Sequence, residues 1–210
     1  MTKRARAIIV AGFFTVSIAY AIRYGYGMLL PEMLPDLRIS KAQAGGIFST
    51  YFVVYTLATP IIGALSDRFN YRLILTLFAL VMAAGASLMA FVTGLWQAHL
   101  FFSLAGLGHA ACWAPVTALV QKWVPDHKRG AALSIVTMGV GLGIPLWSLL
   151  LPAIVGAAGW RAGWAAMGLF GLLVAALNFF LVRNPIHSES ASDTPHGQTH
   201  QFRAAYRDIL

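Results

Sequence analysis

The side chain best equipped for chemistry in this sequence is Arg23. It stands in Arg23-Tyr24-Gly25-Tyr26-Gly27, inside an apolar run that begins at Ala7 and reaches Leu34. A guanidinium keeps its charge and presents a planar fork of donors, which suits a carboxylate or a phosphate. Tyr24 and Tyr26 add hydroxyls and aromatic faces beside it. Farther on, His109 and Trp113 are four residues apart, and so share one face of a helix. A second polar group, Gly63, Asp67, Arg68 and Arg72, interrupts two long apolar runs. This second group reads as a cytoplasmic turn that marks topology, while Arg23 with Tyr24, Tyr26, His109 and Trp113 suits non-covalent recognition of a small anionic solute. Covalent chemistry has no carrier here: the sequence has no Gly-x-Ser-x-Gly, no His-Glu-x-x-His and no paired acids within the apolar runs. The expectation is a protein that is not an enzyme and holds no metal and no cofactor. On one helix His99 and His109 would stand ~15 Å apart, too far to ligate one haem.

The elements that position these residues follow from composition. Of 210 residues, 59% are hydrophobic and 10% charged, where a soluble domain carries about a quarter charged residues. The chain reads as an integral membrane protein. Its net charge of +8 does not point to nucleic acid, because most of the charges lie in short stretches between apolar runs, as topology signals do. The single cysteine, Cys112, excludes an internal disulfide.

No charge interrupts residues 42–66, 73–121, 130–160 or 162–182. A helix needs roughly 20 apolar residues to cross a bilayer, and these runs are too uniformly apolar for the alternating strands of a barrel. The predicted architecture is all-α: a polytopic bundle over residues 1–183 with six transmembrane helices at about 7–30, 44–65, 73–92, 97–120, 131–157 and 162–182. A cytoplasmic N-terminus places eleven lysines and arginines inside and three outside, so both termini are expected in the cytoplasm, in a multi-pass protein of the cell's inner membrane. The basic start and Ala19-Tyr-Ala21 also fit a signal peptide. A full span fits better, since apolar character resumes directly after Arg23.

Local signals refine the spans. Pro31 and Pro35 are expected to stop the first helix, and Pro60 to kink the second. An arginine inside the first span costs roughly 2.5–3.5 kcal/mol on insertion scales. Arg23 should therefore face a cavity, or reach outward towards Glu32 or Asp36. The fourth span carries His99, Ser103, Gly106, Ala110, Trp113 and Thr117 along one stripe, a sign of close packing or of a wet cavity. Gly139, Gly143 and Pro145 in the fifth make either a bendable hinge or a packing face. Residues 184–210 read as a polar cytoplasmic linker ending in a short amphipathic helix over 202–210.

The loop Gly63-x-x-x-Asp67-Arg68-x-x-x-Arg72 resembles the signature loop of the major facilitator superfamily, with Asn70 in place of a glycine that would adopt a left-handed conformation. Gly106-x-Gly108 fits that family's glycine pair, although Phe102 stands where an arginine is usual. Gly139-x-x-x-Gly143-Ile-Pro145 looks like a loosened form of its fifth-helix motif. Pro125-x-x-x-Arg129-Gly130 and Gly159-Trp160-Arg161 look like bacterial members near the oxalate/formate and monocarboxylate branches. The resemblance implies a secondary transporter working by alternating access, with helices one and four lining the cavity and Arg23, Tyr24, Tyr26, His109 and Trp113 as substrate-binding candidates. It further implies that Gly63 and Asp67 work at the interface with a second bundle. The expected partners are the lipid bilayer, a small-molecule substrate and a second six-helix half, from itself or a separate chain. The chain looks like an N-terminal half cut before a seventh span; a truncated, non-transporting module or scaffold is the alternative.

Overall fold

A computed structural model describes residues 1–183, the Asp67 side chain excepted; the linker and amphipathic segment expected over 184–210 lie outside the described residues. Among the described residues every regular element is a helix: α1 (Lys3–Leu37), α2 (Lys41–Arg68), α3 (Tyr71–Met89), α4 (Leu95–His109), α5 (Ala114–Trp123) and α6 (Asp126–Leu181). Lipid offers no water to unpaired peptide groups, so the backbone has to satisfy itself within each segment. The helix starts show how this is done in sequence. Thr2 caps α1, Ser40 and Gln43 form a reciprocal capping box on α2, and Asn70 caps α3 by accepting the Arg72 amide. Asn70 has φ −66°, so it acts as a cap and not as the left-handed residue expected of it.

Three departures from the expected helices have local causes. α1 continues through Pro31 and Pro35 to Leu37. Both prolines lie on its exposed side, while Leu29, Met33 and Leu37 on the other side are buried and carry the helix past them. It ends at Arg38, the one non-glycine residue with positive φ among those described. The fourth span is not one helix: residues 110–113 break it. Pro115 in the first turn of α5 has no amide for the Ala111 carbonyl. The Ala111 and Cys112 amides instead turn back to the Gly108 and His109 carbonyls, three residues earlier. Finally, α6 is not a single rod. Gly159 (φ 78°, ψ 172°) is non-helical within it, a conformation that glycine alone adopts cheaply.

Packing shows what happens at Gly159. Before it, Gly139 lies against Phe13, Gly143 against Ser17 and Ser148 against Met28, so the first arm runs parallel to α1. Beyond it, Gly163 lies against Leu29, Gly25 against Met167, and Asn178 bonds Thr15, so the second arm runs antiparallel. The 56-residue element is thus two antiparallel arms, and α1 touches both. α3 packs antiparallel to the second arm through Ser87–Gly168 and Ala83–Gly171. It also packs on α4, where Gly85 meets the Ala105 backbone and Gly108 the Met82 backbone. Among the described residues five stretches are long and apolar enough to cross a bilayer, the folded-back α6 being one of them. The outer surface is leucine-rich, with Leu57, Leu100 and Leu149 largely exposed. That exposure suits lipid as the surrounding solvent, and the protein is an integral, multi-pass membrane protein.

Side chains tie the turns at each end. At one end Asp36 accepts hydrogen bonds from Trp160 Nε1 (3.0 Å) and Arg161, whose other nitrogen donates to the Val92 carbonyl (3.2 Å). That joins the end of α1, the α3–α4 turn and the bend of α6. At the opposite end Arg129 donates to the carbonyls of Val124 (3.1 Å) and Gln121 (2.5 Å) and pairs with Asp126 (2.9 Å). It caps α5, whose last carbonyls have no partner within the helix.

A Cβ at Gly139 would collide with the Phe13 carbonyl oxygen, whereas one at Gly141 meets nothing within 4 Å. Gly139→Ala is therefore expected to lower stability by about 1–3 kcal/mol, as overpacking does, and Gly141→Ala to leave it unchanged. Thermal unfolding of both variants in the same detergent checks this pair.

Candidate functional site

α1 presents a half-open face carrying Phe13, Tyr20, Arg23, Tyr24 and Gly27, with Tyr20 seven residues, or two turns, beyond Phe13 and the others within one turn of their neighbours. Arg23 leaves that face towards α2. Its Cζ lies 4.2 Å from the centre of the Phe52 ring, 5.6 Å from Tyr24 and 5.7 Å from Tyr20. Its Nε is buried without a hydrogen-bond partner. Among the described residues no carboxylate pairs with it; Asp36, one of the two acids within conceivable reach, is engaged by Trp160 and Arg161. Arg23 is therefore neither snorkelling nor neutralised, but stacked on aromatic faces. Cation–π contacts of this kind contribute about 0.5–2 kcal/mol, which offsets part of the cost of its burial.

Tyr20 connects Arg23 to the fourth span. Its hydroxyl accepts a hydrogen bond from Trp113 Nε1 (3.1 Å), and its ring lies edge-on to His109 at 5.1 Å and to Trp113 at 6.4 Å. His109 ends α4 with 1% of its surface exposed. Its Nδ1 shares a hydrogen bond of 2.5 Å with the Tyr51 hydroxyl, and its Nε2 has no partner. Tyr55 lies edge-on to the same imidazole at 5.0 Å. Arg23, Tyr24, His109 and Trp113 thus belong to one aromatic cluster built by α1, α2, the end of α4 and the start of α5. Tyr24 is its open member, 44% exposed, and His109 its closed one.

Tyr26 does not contact Arg23 or His109 directly and adjoins that cluster from the core side, through Phe48 and Phe102. It is buried, donates to the Ala44 carbonyl (2.8 Å) and stacks on Phe102 (4.6 Å) and Phe48 (5.8 Å). Phe102 is thereby a core residue facing Tyr26, Tyr51 and Trp164. In the loop group, Gly63 borders open space, Arg68 is exposed and Arg72 lies over the Phe179 ring at 4.0 Å. Asp67 is in the last turn of α2, and its side chain lies outside the described residues. Arg129, one possible neighbour for it, is committed to Asp126 and to the end of α5. Gly139 and Gly143 pack directly on Phe13 and Ser17 of α1, while Pro145 is exposed on the opposite side. Sequence reading passed over Tyr20, Tyr51, Phe52 and Tyr55. Tyr20 and Tyr51–Tyr55 do stand at helical spacing from Arg23 and from each other, which is the one signal that marks them.

Comparison with known proteins places this arrangement. The family model described as the Major Facilitator Superfamily matches residues 12–210. A gentisate transporter of Corynebacterium glutamicum is 26% identical over 210 residues, covering 99% of this chain and 47% of that protein. A hexuronate transporter of Bacillus subtilis is 25% identical over 171 residues, covering 81% of this chain and 40% of that one. A D-galactonate transporter of Escherichia coli is 24% identical, covering 82% and 40%. The chain therefore spans less than half the length of these relatives. Among solved structures, a bacterial homolog of the human lysosomal transporter Spinster, inward-facing and unoccupied, superposes with a TM-score of 0.82 at 18% identity, over 99% of this chain and 50% of that one. That likeness is one of fold.

Removing the Tyr51 hydroxyl leaves a buried imidazole with neither nitrogen partnered. Tyr51→Phe is expected to cost about 1–3 kcal/mol. The Tyr51→Phe/His109→Leu pair should cost clearly less than the two single changes added together, as read by chemical unfolding in micelles.

Proposed function

The chain belongs to the major facilitator superfamily, and on that premise we propose that it is a six-helix unit of a secondary transporter that moves a small organic anion by alternating access. The observation that carries this reading is Arg23, a permanent charge inside an apolar bundle with no acid among the described residues to neutralise it. A group held in that state favours an anion over water and over any neutral solute. Relatives named for hexuronate, gentisate and D-galactonate have a carboxylate as the shared chemistry of those solutes. The substrate would meet Arg23 and Tyr24 directly, with Trp113 at the wall and His109 supporting Tyr20 and Tyr55 from behind. Tyr26 would set the α1–α2 contact instead of touching the solute. The chemistry is binding, rocking and release, with no bond made or broken.

A second six-helix unit, a further copy or a separate chain, completes the proposal. Gly27, Gly45, Gly63, Gly141 and Gly156 on α1, α2 and the first arm of α6 all border open space. Small residues on a helix face mark the place where another helix approaches closely in a membrane. Gly63, Asp67, Arg68 and Arg72 would then control closure at the end of that interface. We place the crossings at 7–30, 44–65, 73–92, 97–120, 131–157 and 162–182, in the inner membrane, with residues 184–210 and both termini in the cytoplasm on the strength of the lysine and arginine distribution.

Counterflow in proteoliposomes tests the transport reading. A chain that pairs is expected to exchange organic carboxylates, with Arg23→Gln reducing the rate at least about tenfold, the loss of roughly one charge-assisted hydrogen bond. Arg23→Lys should fall in between, because a point charge replaces a bidentate fork. A monodisperse monomer with no counterflow would refute transport by this chain alone.

A further inference from the structure

The groups around Arg23 also bear on which acids fit. The side chains stacked on its guanidinium are Phe52, Tyr24 and Tyr20, and Trp113 and Tyr55 extend the two walls. Most of the polar atoms in these walls are already engaged. The Trp113 Nε1 proton goes to Tyr20, and the Tyr51 hydroxyl goes to His109. What is left is phenolic: the Tyr20 proton, since that hydroxyl only accepts from Trp113, and the hydroxyls of Tyr24 and Tyr55. A polyhydroxylated acid brings several hydroxyls that each need a partner, and each one left unmet inside weakens binding. A flat aromatic acid has no such demand, and its ring gains from each well-placed aromatic neighbour.

We propose that Arg23 and the rings of Tyr20, Tyr24, Phe52 and Trp113 form a subsite for an aromatic monocarboxylate, with the carboxylate on the guanidinium edge and the ring between the aromatic walls. This rests on the reading of Arg23 as the anion site and adds the class of anion. Phe52 lies 4.2 Å from the Arg23 Cζ and brings no anionic acceptor, which leaves the guanidinium donors for a bidentate carboxylate. Tyr24, the half-exposed member, lies on the open side, where a ring would enter. The same walls disfavour sugar acids, whose hydroxyls would face ring carbons.

The test is calorimetric titration of the purified chain in nanodiscs, against empty nanodiscs, with three acids of one charge: benzoate, cyclohexanecarboxylate and glucuronate. Benzoate is expected to bind at least about tenfold more tightly than either of the others, which is about 1.4 kcal/mol. Phe52→Leu should bring benzoate down to the level of cyclohexanecarboxylate without weakening the latter. Tyr24→Leu, at a half-exposed position, should do the same and serves if Phe52→Leu does not fold. Arg23→Gln should abolish binding of all three. Equal affinity for the three acids, or tighter binding of glucuronate, would overturn the aromatic subsite while leaving Arg23 as an anion site. Binding of none would overturn both readings.

Discussion

The position of α1 depends on its being gripped from two sides at close range. Between helices in lipid the hydrophobic effect contributes little; dispersion at short backbone distances and a few buried polar bonds do the holding. Gly139 and Gly143 bring the first arm of α6 onto the backbone of Phe13 and Ser17, and Gly25 and Gly163 admit side chains from the other direction. Thr15 and Asn178, both buried, exchange hydrogen bonds at 3.1 and 2.9 Å and lock the register of α1 against the second arm. A helix fixed in this way cannot rotate. The remaining open face, carrying Tyr20 and Tyr24, and the Arg23 side chain that leaves it for Phe52, are aimed by contacts on the far side of the helix.

That geometry leaves an electrostatic debt. Rings can solvate a cation in part, through their quadrupoles, but they bring no negative charge. An aspartate in place of Phe52 would have satisfied Arg23 and closed the site. Three rings at 4.2 to 5.7 Å hold the guanidinium in place and keep its charge available. The contrast with Arg129 and Arg161 is informative, since both of those meet a carboxylate and backbone carbonyls and act as fasteners at the ends of the bundle.

Much of the architecture was legible because lipid enforces simple rules. Long uncharged runs must be helices, and the loop around Gly63 and Asp67 resembled a family that the comparison with known proteins then identified. Arg23 was legible as well, because one charge in such a run stands out. Its neighbours were not. Tyr20, Phe52 and Tyr55 are ordinary members of a chain that is 12% aromatic, and they gain meaning only when α1 and α2 are docked. The ends of helices misled for a related reason: Pro31 and Pro35 are local breakers, yet tertiary packing of Leu29 and Met33 overrides them. Pro115 did break the fourth span, since its effect coincides with a tight turn whose amides bond three residues back. Gly139 and Gly143 were ambiguous in one dimension and are contacts in three.

The interruption at residues 110–113 has an electrostatic consequence. It starts a new helix, α5, at Ala114, with Trp113 at the cap position and no side chain closing it. The aligned peptide dipoles of a helix leave roughly half a positive charge at its first turn, and here that turn adjoins the Tyr20–Trp113 contact. The end of α4 at His109 leaves the opposite partial charge beside the same cluster. The two helix ends thus face each other across four residues as a main-chain dipole that no single side-chain substitution removes. Its two poles offset one another, so the net charge that selects an anion is carried by Arg23.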